Sequence, residues 1–303
     1  MSAKPLAVAI VGAGGLAAAL ARALGRSGGA RVTVASRRPA SAAAVARGAR
    51  GVASARRIED AIAGAAIVVL AVPDRAIAPL ARSLVPLRAS WRGVVALHGA
   101  GAYGPELLAP LRAHGAATGV LHPLAVLGAG AGSKLSGSYA RMEGQPTAQT
   151  AARRLSALVG LVPLRGSGLR SPQGRSSYHA AASLVSNDLI ALLASASGLL
   201  VRRGVSGREA LIALTTLAER ALRQVRRAGL LGALTGPVAR NDAETLAAQL
   251  RALSREDPAA AAAHRALSSR LIDLATAAGR ADREGARALR RLLARGPGRQ
   301  RTV

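Results

Sequence analysis

Leu-Ala-Val-Ala-Ile-Val-Gly-Ala-Gly-Gly-Leu-Ala, at residues 6–17, is a short apolar run that ends in a glycine-rich turn. The run predicts a buried first strand, and the Ala- and Leu-rich segment after it predicts a helix. The turn fits the pattern G-x-G-x-x-G/A, with Ala17 in the last position. In such turns the backbone comes close to a pyrophosphate, which meets free N–H groups at the helix start. We therefore expect a dinucleotide at Gly12, Gly14, Gly15 and Leu16, although a glycine-rich turn can also occur without one.

Short apolar runs continue to alternate with longer Ala/Leu/Arg segments over about the first 165 residues. This alternation predicts an α/β Rossmann domain, with a doubly wound, mostly parallel sheet, at residues 1–165. A Gly-, Ser- and Pro-rich segment at 166–177 suggests a linker. Helical periodicity then predicts an all-α domain at 178–280. A basic tail, partly disordered, is expected at 281–303.

The end of the second predicted strand selects the cofactor. NAD sites usually have an acidic residue there, which binds the ribose hydroxyls. This chain has Ser36-Arg37-Arg38 instead. Guanidinium groups form charge-assisted hydrogen bonds with phosphate oxygens, so these residues favour the 2′-phosphate of NADP over NAD. In a chain so rich in arginine, the pair could also be incidental.

Further candidates follow other predicted strands, at the carboxyl edge where ligands bind in open α/β sheets. Val72 and Pro73 are expected to contact the cofactor, or simply to end a strand. His98 is expected beside the nicotinamide, in contact with cofactor and substrate. His122 is a further substrate-binding candidate. Each histidine could equally be a structural residue with satisfied hydrogen bonds.

The predicted second domain opens with a helix whose polar residues form one stripe. His179, Ser183, Ser186 and Asn187 share a face at 100° per residue, and the rest of the helix is mostly apolar. Such a helix is expected to be central, with its stripe facing a cavity or neighbouring helices. We predict a catalytic role for His179, Ser183 and Asn187, and substrate contacts for Tyr178, Thr235 and Arg240. A capping box at Asn241 and Glu244 would explain residues 241–244 without any chemistry, but it would not explain Thr235 and Arg240.

The composition limits other classes of function. The chain has no cysteine, which excludes disulfides and thiolate metal sites, and we predict no metal. The net charge is +27, but all 42 basic residues except Lys4 and Lys134 are arginines spread along the chain. With one Trp, three Tyr and no Phe, there is little to stack on bases, so no nucleic-acid partner is expected. No apolar run reaches the ~20 residues that span a bilayer, so no membrane contact is expected. The absence of cysteine fits a reducing compartment, and we predict a cytoplasmic protein.

The chain resembles a bacterial family of Rossmann-like proteins with a C-terminal domain of unknown function. The resemblance rests on the glycine turn at 12–17, Val72-Pro73-Asp74, Leu121-His122-Pro123-Leu124, Tyr178-His179-Ala180-Ala181, Ser186-Asn187 and the segment 235–240. The arrangement is similar to pyrroline-5-carboxylate reductases, ketopantoate reductases and 6-phosphogluconate-dehydrogenase-like enzymes. It implies an NAD(P)-dependent reductase whose helical domain completes the active site and dimerises.

One departure from these relatives affects the expected reaction. β-Hydroxyacid dehydrogenases of this superfamily use a lysine on the first helix of the second domain, and this chain has no lysine after Lys134. His179 stands in a comparable place and could donate a proton to an alkoxide or amine. The change from lysine to histidine argues against the hydroxyacid reaction and leaves imine reduction open. We therefore expect a homodimeric NADP-dependent oxidoreductase acting on a small carbonyl or imine in the interdomain cleft. A sensor or scaffold that binds NAD(P) without turnover is the alternative.

Overall fold

Eight strands form a single sheet in the first of two units, residues 1–184 and 185–303. The computed structural model describes residues 5–128 and 134–294. The strands are β1 (Leu6–Val11), β2 (Ala30–Ala35), β3 (Val52–Ser54), β4 (Ile67–Leu70), β5 (Val95–His98), β6 (Ala117–Pro123), β7 (Tyr139–Gly144) and β8 (Val162–Pro163). Their order in the sheet is β3-β2-β1-β4-β5-β6-β7-β8, and only the β6–β7 pair is antiparallel. The predicted mostly parallel sheet is confirmed.

Helices cover both faces of this sheet. They are α1 (Gly15–Ser27), α2 (Pro39–Arg47), α3 (Ile58–Ile62), α4 (Asp74–Leu84), α5 (Ala109–Ala113) and α6 (Pro146–Val159). Val8 and Ile10 of β1 pack in the layer that contains α1 and α6, while Ala9 and Val11 pack in the layer that contains α4 and α5. Successive strand residues point to opposite faces, so two buried layers explain why the strands are apolar throughout.

The long helix α7 (Pro172–Val201) begins earlier than the sequence predicts. Six residues assigned to the linker belong to it, because Pro172 provides a favourable first helical residue. The remainder of that segment contains a short 3-10 turn at Ser167–Arg170. The division between the two units falls within α7, after Leu184.

The second unit is entirely helical in its described part. It contains α8 (Gly207–Ala233), α9 (Ala243–Glu256), α10 (Pro258–Ala277) and α11 (Arg283–Ala294), together with the last residues of α7. Leu246, Ile272 and Leu289 are in its core. Helix α11 lies in the predicted basic tail and buries Ala286, Leu289 and Leu293 in that core. The expected disorder beyond it lies outside the described residues.

The sequence predicts that helix α7 is central, but in the structure most of it is exposed. Of its described residues only Tyr178 is buried, and apolar side chains such as Val185 and Ile190 are exposed. By length and composition α7 could cross a membrane, since its most apolar window has a mean hydropathy of 1.7 and is 0% buried. The sequence predicts no such segment, because polar residues interrupt the apolar residues of α7. A single helix of this kind is weak evidence for a membrane protein.

Candidate functional site

The glycine turn after β1 has the geometry that dinucleotide binding requires. Gly12 has φ +135°, and a Cβ there would lie 2.1 Å from the carbonyl oxygen of Ala71, so no other residue fits. Gly14 precedes α1 in an extended conformation, and no side chain caps the helix. A Cβ on Gly14 would meet nothing within 4 Å. The helix start is therefore open to an incoming anion, which its uncapped N–H groups can bind.

A cavity of about 350 Å³ extends from this turn along the carboxyl edge of the sheet. It is lined by Ala13, Gly14, Gly15, Leu16, Ala71, Val72, Pro73, Gly99, His122, Pro123, Ala125 and Leu127. The structure thus brings together the predicted glycine turn, Val72, Pro73 and His122. Sequence reasoning missed Leu127, whose carbonyl oxygen would lie 2.1 Å from a Cβ on Gly15. The sequence signal that could have identified Leu127 is its position shortly after β6, near the carboxyl edge of the sheet.

The segment Ser36-Arg37-Arg38 follows β2 as a tight turn. The Ser36 hydroxyl donates a hydrogen bond of 2.7 Å to the carbonyl oxygen of Arg38, which fixes the turn. Arg37 and Arg38 are both exposed, and Arg38 immediately precedes α2. β2 is the direct neighbour of β1 in the sheet. Arg37 and Arg38 therefore follow the strand that adjoins the glycine-turn strand, and guanidinium groups are suited to binding phosphate.

His98 does not line the cavity, in contrast to the prediction. Its side chain is fully buried, Nδ1 accepts a 3.1 Å hydrogen bond from the Ala100 amide, and Nε2 lies 2.8 Å from the carbonyl oxygen of Gly104. Because Nδ1 is an acceptor, Nε2 carries the proton and donates to Gly104. Burial lowers the pKa of His98, which keeps it neutral. We therefore assign His98 to holding the loop at 99–104.

His122 is only partly satisfied. Its Nδ1 lies 2.7 Å from the hydroxyl of Tyr178, and the two rings meet edge to face. Among the described residues Nε2 has no hydrogen-bond partner. Burial, reinforced by the charges of Arg141 and His179, lowers the pKa of His122 to about 4. Burial raises the pKa of Tyr178 to about 12. Both groups are therefore neutral near pH 7.

Arg141 organises this corner of the sheet. Its side chain is 2% exposed, forms a 2.5 Å ion pair with Glu143, and donates to the backbone carbonyls of Ala100, Gly101 and Tyr103. Glu143 also accepts from Arg175 on α7 at 2.5 Å. The network connects β7, the loop after β5 and the first turns of α7. It thereby holds α7 where Tyr178 reaches His122, and no local pattern in the sequence indicates this network.

His179 lies beside His122 on the exposed side of α7. Their ring centroids are 6.3 Å apart. A Cβ on Gly101 would lie 2.7 Å from His179 Nδ1 and 2.8 Å from His122 Nε2, so a glycine is needed where the two rings converge. The structure therefore brings together three of the predicted residues, Tyr178, His179 and His122.

The remaining predicted residues are spread over both units. Ser183 is half-buried in the first unit, and Asn187 is exposed in the second. Thr235 and Arg240 are exposed in the connection between α8 and α9, where Arg240 ends a 3-10 turn. The predicted cap of α9 is wrong in its residue. Asp242 accepts the Thr245 amide at 2.9 Å, while Asn241 adopts a left-handed conformation with φ 55°.

Two family models match the chain and together cover most of it. Residues 1–123 match a Rossmann-like domain, and residues 138–271 match a domain of unknown function, DUF2520. This confirms the resemblance inferred from the sequence. A comparison with curated protein sequences found no match.

Solved structures share this architecture at low sequence identity. A Bacteroides fragilis protein described as a candidate NADP oxidoreductase, BF3122, is 22% identical with a TM-score of 0.71, covering 89% of this chain and 98% of its own. An imine reductase from Pseudomonas sp. is 19% identical with a TM-score of 0.64, covering 95% and 99%. A pyrroline-5-carboxylate reductase from Coxiella burnetii is 14% identical with a TM-score of 0.59, covering 89% and 99%. At such identities the likeness establishes the fold.

Proposed function

We propose that this protein, in which a Rossmann-like domain is followed by DUF2520, is an NADP-dependent oxidoreductase acting on a small carbonyl or imine. The observation that carries the proposal is the uncapped start of α1, with open space at Gly14 and a cavity that extends to His122. A pyrophosphate at the helix start would direct the rest of the dinucleotide along the strand ends. The structural neighbours named for NADP, imine and pyrroline-5-carboxylate chemistry support this choice.

In this proposal the nicotinamide, when bound, supplies a hydride to the substrate carbon. The substrate oxygen or nitrogen then requires one proton, and His179 is the predicted donor. Ser183 and Asn187 are proposed to orient the substrate, with Thr235 as a further contact. Arg240 is proposed to bind a substrate carboxylate or phosphate. Each of these roles follows from the residue's chemistry and stays a prediction.

Cofactor binding is the first test. We expect calorimetry to show tighter binding of NADPH than of NADH. The double variant Arg37→Ala/Arg38→Ala should lose about 10- to 100-fold in NADPH affinity and little in NADH affinity, because charge-assisted bonds to the 2′-phosphate are removed. The matched control is Arg153→Ala/Arg154→Ala, an adjacent exposed pair on α6 with the same change in charge. No heat and no melting shift with either dinucleotide would exclude the proposal.

Turnover separates an enzyme from a sensor. We expect stopped-flow mixing of bound NADPH with ketoacids, ketones and cyclic imines to show oxidation with at least one of them. His179→Ala should then slow that reaction by about 100-fold, the contribution typical of a general acid. An NADPH complex that stays reduced with every compound would favour the sensor or scaffold instead. Full turnover by His179→Ala would remove His179 from the mechanism.

We further propose that the protein is a homodimer through α7 and α8. The support is a set of large apolar side chains that are 40% or more exposed on these helices, among them Val185, Ile190, Leu192, Leu211, Ile212 and Leu217. Monomeric proteins rarely leave such a surface in water. Light scattering should give a dimer at micromolar concentration, and Ile190→Asp should weaken it, whereas Val162→Asp on β8 should not. A monomer, or recruitment to phospholipid vesicles, contradicts this. Localisation in the cytoplasm stays a prediction.

A further inference from the structure

We infer that a cavity between α10 and α11 binds a small aliphatic carboxylate. The cavity has a volume of about 650 Å³ and is lined only by residues of the second unit, none of which lines the cavity at the glycine turn. Its wall on α11 lies beyond residue 271, where the match to DUF2520 ends. The inference goes beyond the proposed oxidoreductase function and does not depend on it.

The sequence of α10 leaves room for this cavity. The lining residues of α10 recur at helical spacing and therefore share one face of the helix, at positions 258, 261, 262, 265, 266 and 269. Three of these positions are alanine, whose short side chain fills little of the space that faces α11. Leu293 and Ala294 line the cavity from α11. The walls are mostly aliphatic and include no aromatic ring, which suits a flexible hydrocarbon chain.

Two arginines make the cavity suitable for an anion. Arg265 on α10 and Arg290 on α11 line it, and none of the lining residues is acidic. Nη1 of Arg265 donates a 2.6 Å hydrogen bond to the carbonyl oxygen of Leu293, which fixes this guanidinium at the end of α11. Nη2 of Arg290 binds Asp273 at 2.8 Å, and Nη1 of Arg290 has no hydrogen-bond partner among the described residues. The carboxylate of Asp273 thus compensates only one of the two positive charges at the cavity.

The aliphatic walls and the two arginines together define the ligand. Sites for small molecules typically have volumes of ~300–1,000 Å³ and combine apolar walls with a few polar groups. A carboxylate forms charge-assisted hydrogen bonds with a guanidinium group, while a hydrocarbon chain covers the alanine wall. A cation would be repelled by both arginines, and a neutral alcohol would gain no charge-assisted bond. The site therefore fits an amphipathic anion.

The first test compares three probes with the same chain and different charge. Calorimetry on the full chain should show binding of octanoate, binding of octanol that is about tenfold weaker or more, and no binding of octylammonium. No heat with octanoate would overturn the inference. Octanol or octylammonium binding as tightly as octanoate would also overturn it, because the site would then not select an anion.

The second test removes one positive charge from the cavity. Arg290→Gln should weaken octanoate binding about tenfold and leave octanol binding unchanged, because only the carboxylate uses the guanidinium. The side chain of Arg290 is 50% exposed, so little stability is lost. Arg270→Gln is the matched control, since Arg270 also pairs with Asp273 but does not line the cavity. Equal losses in the two variants would mean that only net charge matters, and would overturn the site.

The third test fills the space for the hydrocarbon chain without changing the charge. Ala266 is exposed and lines the cavity, so Ala266→Met should fold normally and weaken octanoate binding about tenfold or more. Ala277→Met, at an exposed position of α10 outside the lining, should bind octanoate like the wild type. Unchanged binding by Ala266→Met would place octanoate elsewhere, for example on the exposed apolar side chains of α7 and α8, and would overturn the inference.

Discussion

The turns that follow β5 and β6 are neighbours in the sheet, and each begins with a histidine at a strand end. In the first turn, the backbone around His98 satisfies both ring nitrogens, and Arg141 binds three carbonyls of the same loop. In the second turn, Tyr178 takes only Nδ1 of His122, and the cavity borders the ring. We call these the closed turn (98–104) and the open turn (122–128).

The difference shows what makes a strand-end histidine available for chemistry. Both residues are neutral and largely buried, and both occupy the edge where ligands bind in parallel sheets. They differ in the number of hydrogen-bond partners that the protein supplies and in whether the ring borders the cavity. A nitrogen that the fold leaves without a partner beside a cavity is a candidate for binding a ligand, whereas a satisfied one is part of the scaffold.

Breaking the closed turn at Arg141 should have the largest effect. Arg141→Met removes the buried partner of Glu143 and leaves the carbonyls of Ala100, Gly101 and Tyr103 without a donor. We expect a loss of about 3–5 kcal/mol in unfolding free energy, as when one member of a buried ion pair is deleted. Urea titration measures it. Arg57→Met, which removes ion pairs of a 65% exposed side chain, should cost less than about 1 kcal/mol. Equal losses would show that the network is not structural.

Removing the side chain of His98, in the closed turn, should cause the second largest loss of unfolding free energy. His98→Leu keeps an apolar side chain of similar size but leaves the Ala100 amide and the Gly104 carbonyl buried without partners. At ~1–3 kcal/mol for each orphaned group, we expect a loss of about 2–4 kcal/mol. The exposed His114, bonded to the carbonyl of Pro110, provides the control, and His114→Leu should change stability by less than ~0.5 kcal/mol. A destabilised His98→Leu that still binds NADPH normally would confirm the structural assignment.

The sequence predicts this region well where local patterns decide it. The apolar run at Leu6–Val11, the glycine turn and the strand ends at His98 and His122 all follow from periodicity and turn chemistry. The start of α2 at Pro39 is likewise local, because proline is favoured at the first helical position. Such features depend on residues close together in the chain, so a single sequence contains them.

What the sequence could not predict depends on contacts between distant residues. Nothing near His98 indicates that Gly104 would satisfy its second nitrogen, and nothing near His122 indicates a phenol 56 residues later in the chain. The helix start at Pro172 was obscured by glycine and serine, which are weak helix formers but tolerated where tertiary contacts hold the segment. Arg175, bound to Glu143, supplies such a contact.

His122 in the open turn should make the unfolding free energy depend on pH, and this effect should be smaller than that of Arg141→Met or His98→Leu. The folded-state pKa of His122 is about 4, below its ordinary value of 6.5, so the unfolded chain binds a proton first as the pH falls. The stability due to neutral His122 is therefore full above pH 6.5 and decreases between pH 6.5 and 4. At about 1.4 kcal/mol per pH unit the limit is roughly 3 kcal/mol, and partial exposure of the ring reduces our expectation to about 2 kcal/mol.

The measurement compares the wild type with His122→Gln across that range. His98 and Glu106 also have lowered pKa values, but they are present in both proteins and cancel in the difference. The wild type should lose more stability than the variant between pH 6.5 and 4. Parallel curves would mean that His122 titrates normally and that the open turn is as well hydrated as an exposed loop.

The smallest effect on stability is expected at Gly14, in the glycine turn that precedes α1. A Cβ there meets nothing within 4 Å, and the backbone is extended, which alanine adopts freely. Reduced freedom of the unfolded chain favours Gly14→Ala by ~0.4–1 kcal/mol, while alanine is a poorer N-cap by a similar amount, so stability should change by less than ~0.5 kcal/mol.

NADPH affinity should nevertheless fall about tenfold or more, because the methyl group occupies the space through which a pyrophosphate approaches the amides. Gly64→Ala also points into open space, but away from the cavity lining, and should leave both quantities unchanged. If Gly14→Ala binds NADPH as tightly as the wild type, the dinucleotide does not contact this turn.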